Sequence, residues 1–187
     1  MADPKLVVCG IAGSLRAGSY NRALLRAAQE LLPEGMELRL FDRLRDIPPY
    51  DGDVEAKGMP EPVLALKEAI ASADAVLVTT PEYNHSVPGV LKNAVDWASR
   101  PPGKSAFRGK TVAVMGASTG NVGTARAQVD LRTILAANGA RLLPGPEMLV
   151  ARAQERFDGD GRLTDERTRK LLRTLLEALG AAAPRRG

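Results

Sequence analysis

The chain has 187 residues, 44% of them hydrophobic and 26% charged, and a formal net charge of +4. That length suits one domain with a sizeable core, and the composition excludes a disordered, collagen-like or disulfide-framed chain. A single cysteine, Cys9, and a single histidine, His85, exclude an intramolecular disulfide and any metal site built from several of either residue.

Short apolar runs alternate with helical periodicity along the chain. Leu6–Cys9 reads as a buried strand that Gly10 ends. From Asn21 the apolar positions Leu24, Leu25, Ala28, Leu31 and Leu32 recur at helical spacing, and residues 33–35 stop the helix. Residues 36–41 alternate as a half-buried or edge strand does, and residues 44–58 read as irregular. A helix is expected over 61–72, a buried strand over 75–79 and a helix from Pro88 or Gly89 to Ala98. A fourth strand covers 111–115, and a helix over 124–137 presents Val129, Ile134 and Leu135 as its apolar positions before Asn138-Gly139 caps it. A fifth strand region lies around residues 141–150, and the last helix covers 164–179 with Leu171, Leu172, Leu175 and Leu179 on its face.

Strands separated by helices of this length imply parallel pairing under helices on both faces. The expectation is an α/β, flavodoxin-like, doubly wound sheet of five parallel strands in the order 2-1-3-4-5. One domain spans 1–187, with an ordered core over about 5–180 and a frayed tail over 181–187. Ligands of such sheets bind at the carboxyl ends of the strands, near the switch between strands 1 and 3. The chemistry is therefore expected in the loops after strands 1, 3 and 4.

The first loop brings Gly13, Ser14, Leu15, Arg16, Gly18, Ser19, Tyr20 and Asn21 to a helix start. Hydroxyls, an amide, a guanidinium and free backbone N–H groups suit a phosphate. The bland alternative is a helix capped by Ser19 or Asn21 with Arg16 in solvent. Neither the P-loop nor the dinucleotide glycine pattern fits, which leaves a mononucleotide phosphate as the best candidate.

The second loop, residues 79–89, holds Pro81, Glu82, Tyr83, Asn84, His85 and Ser86 between two prolines. A rigid loop of this kind can lie against a flat heterocycle. The third contains Ser118, Thr119 and Gly120. Gly116-Ala117-Ser118-Thr119-Gly120 matches the nucleophile-elbow pattern of serine hydrolases, but that order needs a downstream histidine, and His85 lies upstream.

Several other features carry no site. Asp158-Gly159-Asp160-Gly161 reads as a tight turn rather than a calcium loop, Cys9 as an inert buried thiol and Trp97 as packing or interface. Scattered arginine and 4% aromatic content argue against nucleic-acid binding. No apolar segment approaches the ~20 residues of a membrane span. Nor is there the basic start and long apolar stretch of a secretory leader, so a soluble, cytoplasmic protein is expected.

Residues 13–21, residues 81–84 continuing through 86–97, and Gly116-Ala117-Ser118 together resemble the NAD(P)H-dependent FMN reductases. That flavodoxin-like group includes quinone, chromate and azo-dye reductases. The resemblance runs from about residue 5 to 179. It implies that Ser14, Arg16, Ser19 and Asn21, with the backbone of Leu15 and Tyr20, hold the FMN phosphate. It implies that Pro81, Glu82, Tyr83 and Asn84 meet the isoalloxazine, and that Ser118 and Gly120 border the flavin or the bound nucleotide. His85 and Thr119 fall on the substrate side; related chains often have an aromatic at the position of His85.

No side-chain catalyst and no metal are implied, because the chemistry belongs to the flavin. NADPH or NADH would reduce FMN, and a quinone-like, flavin, azo or metal-oxyanion acceptor would reoxidise it by a ping-pong route. The family commonly forms homodimers or homotetramers. The alternatives left open are an electron carrier or FMN-binding module without NAD(P)H turnover, and a serine hydrolase using Ser118.

Overall fold

The computed structural model describes residues 5–184. Its centre is a parallel sheet of β1 (Leu6–Ala12), β2 (Met36–Phe41), β3 (Ala75–Thr79), β4 (Thr111–Ala117), β5 (Arg141–Leu142) and β6 (Met148–Val150). The strand order is β2-β1-β3-β4-β5, with β6 also on β4. The connections hold α1 (Tyr20–Glu30), α2 (Gly52–Lys57), α3 (Glu61–Ala71), α4 (Gly89–Ala98), α5 (Ala125–Ala137) and α6 (Glu166–Ala182).

The two-residue period of a strand sorts the apolar side chains into two cores. Val8, Ala75, Leu77, Ala113 and Met115 face α1 and α6. Their neighbours Cys9, Ile11, Val76, Val78, Val112 and Val114 face α3, α4 and α5. β3 and β4 are buried along their whole length, as continuous apolar runs in a covered parallel sheet should be. Burial pushes the Cys9 thiol up to about 12, which leaves it unreactive.

The flavodoxin-like architecture and strand order are those expected, but several boundaries differ. β1 does not end at Gly10: it runs on to Ala12, pairing with both β2 and β3. The glycine is there for room, since a Cβ would lie 2.9 Å from Leu40 Cδ2 and 3.0 Å from Leu38 Cδ1. β4 likewise continues through Gly116 to Ala117. Residues 44–58 are not wholly irregular; they hold a 3-10 turn at Leu44–Asp46 and α2, which Asp51 caps.

The fifth strand region is split in two. Pro144 and Pro146 lack the N–H that a continuous ladder needs, so β5 pairs with the start of β4 and β6 with its end. Val129 points outward at 63% exposure, and Leu131 and Leu135 supply the buried face of α5. α6 extends to Ala182 and Ala183 is buried, so residues 181–183 are not the frayed tail expected there; residues 185–187 lie outside the described residues.

Trp97 is fully buried, and its indole N–H donates to the Pro48 carbonyl at 2.8 Å. Asp158 Oδ1 accepts from the backbone N–H groups of Asp160 and Arg162, closing the expected turn. No described helix is long and apolar enough to cross a membrane.

Candidate active site

The carboxyl ends of β1, β3 and β4 lie side by side, so the three loops meet at one edge. The register fixes this, because Ala12 pairs with Thr79 and Thr79 with Met115. Gly13 donates its N–H to the Thr79 carbonyl at 2.7 Å, and a Cβ there would strike Leu91 Cδ2 at 2.7 Å. The first loop is thus pinned to β3 at its start.

Beyond Gly13 the loop leaves its donors unspent. Ser14 is buried, and its Oγ accepts from the Arg16 N–H at 3.4 Å. Ser19 is the N-cap of α1, its Oγ accepting from the Asn21 N–H at 3.2 Å. The backbone N–H groups of Ala17, Gly18 and Tyr20 have no partner among the described residues. Arg16 is exposed beside them, and nothing stands within 4 Å of a Cβ built on Gly18. Hydroxyls, an exposed guanidinium and free N–H groups around open space fit a phosphate monoester. Arg45 braces the loop from outside, donating to the Leu15 carbonyl at 3.0 Å. The Tyr20 ring packs on Phe157 at 5.5 Å, leaving only its backbone for a ligand.

Asn21 has a different task from the one expected. It is buried, its Nδ2 donates to the Ala117 carbonyl at 2.9 Å and its Oδ1 accepts the Ala117 N–H at 2.9 Å. The amide side chain ties α1 to the end of β4 rather than reaching out as a phosphate ligand.

The second loop is a tight hairpin turn. Tyr83 and Ser86 exchange both backbone hydrogen bonds at 3.1 Å, and Asn84 and His85 at its tip have φ of 49° and 65°. Positive φ at both central residues defines a type I′ turn, a conformation that non-glycine residues adopt at a cost. Tyr83, Asn84 and His85 are exposed at the rim, whereas Pro81 is buried at the base. Thr79 Oγ1 has no hydrogen-bond partner among the described residues, an orphan hydroxyl at the end of the strand that carries this loop.

Two acidic anchors hold the turn on α5. Ser86 Oγ donates to Asp130 Oδ2 at 2.6 Å. Glu82 Oε2 accepts from the backbone N–H groups of Arg126 at 3.0 Å and Ala127 at 3.3 Å, and its Oε1 accepts from the Arg126 guanidinium at 3.0 Å. Thr124, the residue before α5, supplies no side-chain cap, so Glu82 performs that duty from another loop. Burial pushes the Glu82 carboxyl up, but the hydrogen bonds from Arg126 and Ala127 outweigh it and hold the group below its ordinary value. The Glu82 side chain is therefore committed to α5, and only the backbone at this position is left for a flat ligand.

The third loop is braced against the segment after β6. Ser118 N–H donates to Val150, Ala153 N–H to Ser118 and Arg152 N–H to Gly120, at 3.0, 2.9 and 2.9 Å. Gly116 allows close approach to the neighbouring loop: a Cβ would lie 2.5 Å from the Thr80 carbonyl. Ser118 is half-buried, and Thr119 and Gly120 are exposed toward the rim. No hydrolase site forms. Ser118 continues the extended pairing with β6 rather than turning sharply into a helix, and no described base hydrogen-bonds its hydroxyl.

Asp130, Arg126 and Arg45 belong to this edge but carry no local sequence signal, since each acts on a loop distant along the chain.

A doubly wound sheet whose neighbouring β1 and β3 end in a loop with free N–H groups and in a rigid turn is an α/β protein of the flavodoxin type. Comparison with known proteins narrows the class. Residues 6–155 match the family model of NADPH-dependent FMN reductases. The chain is 51% identical over 172 residues to the NAD(P)H-dependent FMN reductase PA1204 of Pseudomonas aeruginosa, covering 92% of each. It is 42% identical over 176 residues to a 2-hydroxy-1,4-benzoquinone reductase of Burkholderia, covering 94% of this chain and 95% of that one. Among solved structures, the flavoenzyme NAD(P)H:acceptor oxidoreductase FerB of Paracoccus denitrificans superposes with a TM-score of 0.84 at 41% identity, over 92% and 94% of the two chains.

The chain belongs to the NADPH-dependent FMN reductase family. It is an oxidoreductase of that family, with FMN as cofactor and NAD(P)H as the source of hydride.

Proposed function

We propose that this chain passes reducing equivalents from NAD(P)H through FMN to a quinone-like small molecule by a ping-pong route. When bound, FMN would supply the redox chemistry, hydride uptake from NAD(P)H and two-electron reduction of an acceptor. The protein binds, orients and polarises. Ser14, Arg16, Ser19 and the N–H groups of Ala17, Gly18 and Tyr20 hold the phosphate. Pro81 and the backbone from Glu82 to Asn84 border the ring, and Ser118 and Gly120 close its other edge. His85 and Thr119 stand at the rim where donor and acceptor take turns.

The observation that carries this reading is the meeting of the loops at one edge, with unspent N–H donors after β1 beside a braced turn after β3. A quinone is favoured over azo or metal-oxyanion acceptors because relatives about 40% identical over most of the chain are named quinone reductases. The assembly proposed is a homodimer or homotetramer working in the cytoplasm, without nucleic acid or membrane.

The phosphate assignment is tested by replacing Arg16 and Ser19 together with alanine. FMN affinity should fall at least tenfold by fluorescence titration while circular dichroism stays that of the parent. Unchanged affinity would sink the assignment.

A further inference from the structure

Asn84 and His85 both sit at positive φ in the turn after β3, and such residues persist only where their surroundings over-determine them. The surroundings here are a two-point grip by α5. The first turn of α5 takes Glu82, on the limb entering the turn, through the N–H groups of Arg126 and Ala127. One helical turn later, Asp130 takes Ser86 on the departing limb at 2.6 Å. Four residues climb about 6 Å along a helix. That is close to the roughly 5.5 Å between hydrogen-bonded residues of paired antiparallel strands. The pitch of α5 therefore matches the width of the turn.

Asp130 is committed to this task. Residues four apart on a helix commonly pair, but Arg126 spends its guanidinium on Glu82 and not on Asp130. Among the described residues the Asp130 carboxylate accepts from no side chain but Ser86. The grip leaves the donors at the tip free. The backbone N–H groups of Asn84 and His85 have no partner among the described residues, and both residues are exposed. N–H groups fixed in advance favour the ligand state that carries more negative charge, and do so only while the backbone is held.

We propose that Asp130 is a positioning residue for flavin reduction: acting through Ser86, it fixes the turn whose free N–H groups meet the ring, a role that rests on the flavin reading of this edge. Two effects of the carboxylate act in opposite directions. Its charge disfavours the electron-rich reduced flavin, whereas its hold on the turn favours it. Variants that keep the charge or keep the bond separate them.

The test measures the midpoint potential of FMN-saturated protein for the parent, Ser86→Ala, Asp130→Asn, Asp130→Ala and Ser86→Ala/Asp130→Ala. Ser86→Ala breaks the bond and keeps the charge. It should lower the ratio of reduced to oxidised FMN affinity at least threefold, read as a lower potential. Asp130→Asn keeps an acceptor oxygen for Ser86 and Asp130→Ala does not, while both lack the charge. The ratio for Asp130→Ala should therefore lie at least threefold below that for Asp130→Asn. The double variant should match Asp130→Ala, because both substitutions break one bond. An unmoved ratio in Ser86→Ala, or equal ratios in the two Asp130 variants, overturns the inference and leaves Asp130 a structural pin, even if the unfolding temperature falls. Additive losses in the double variant overturn it as well. Should Asp130→Ala not fold, Ser86→Ala against Asp130→Asn decides. A parent that holds no FMN defeats the flavin reading and this inference together, whereas a parent that holds FMN, with the ratio unmoved in its variants, defeats this inference alone.

Discussion

Glu82 and Asn21 show what single side chains do at this edge. Each sits in a loop segment whose residue types suggest ligand contact, and each spends its side chain on the fold instead. Their partners lie 44 and 96 positions away, so nothing in the local pattern distinguishes bracing from binding. Both duties have measurable consequences. Glu82→Gln keeps the shape and removes the charge, weakening bonds that are worth about 1.5–3 kcal/mol each when one partner is ionised. The Glu82 carboxyl is held low in the fold. Its contribution is therefore present above the unfolded value of about 4.3 and is lost as pH falls through the lower folded value. Urea unfolding should show the parent more stable than Glu82→Gln at neutral pH, with the gap closing below about pH 4. A gap independent of pH would show that the carboxylate charge is not what braces α5. Asn21→Ala strands a buried N–H and a buried carbonyl on Ala117 and should cost about 2–4 kcal/mol by the same measurement.

At the scale of elements, the turn from Tyr83 to Ser86 is the most constrained piece of the site. Asn84 and His85 both hold positive φ, and asparagine tolerates it better than histidine does. His85→Gly should relieve strain and raise stability by about 1 kcal/mol in thermal unfolding. A loss of stability instead would mean that the ring makes a contact that stabilises the turn.

Most elements were legible from period alone. The buried strands at 75–79 and 111–115 read as continuous apolar runs, and the helices showed their faces at 3.6-residue spacing. Local pattern and structure part at glycine and proline. Gly10 and Gly116 look like strand endings, yet they sit inside strands where a neighbouring side chain or carbonyl needs the room. The type I′ turn has no local signature, because Asn-His is not a usual glycine-bearing pair for it. Val129 fits an apolar helix face by spacing, yet it points outward, because α5 meets the sheet through Leu131 and Leu135.

Across the whole molecule, strand register brings the loops together, anchoring side chains (Asn21, Glu82, Asp130, Arg45) fix their positions, and the N–H groups of Ala17, Gly18 and Tyr20 stay unspent among the described residues. The class and strand order followed from alternating strands and helices, and the site's location followed from the switch point of the sheet. The anchoring side chains did not, because they act through tertiary hydrogen bonds.

The central claim is that this edge holds FMN and lets NAD(P)H reduce it. The most direct measurement is a visible spectrum of the protein after incubation with FMN and desalting, followed by anaerobic addition of NADPH and, separately, NADH. The account predicts a retained flavin band that bleaches on addition of at least one donor and returns when a quinone is added. Retained flavin that neither donor bleaches would contradict the reductase reading and leave a carrier or binding module. No retained flavin, together with no turnover of free FMN, would contradict the assignment of the loops themselves.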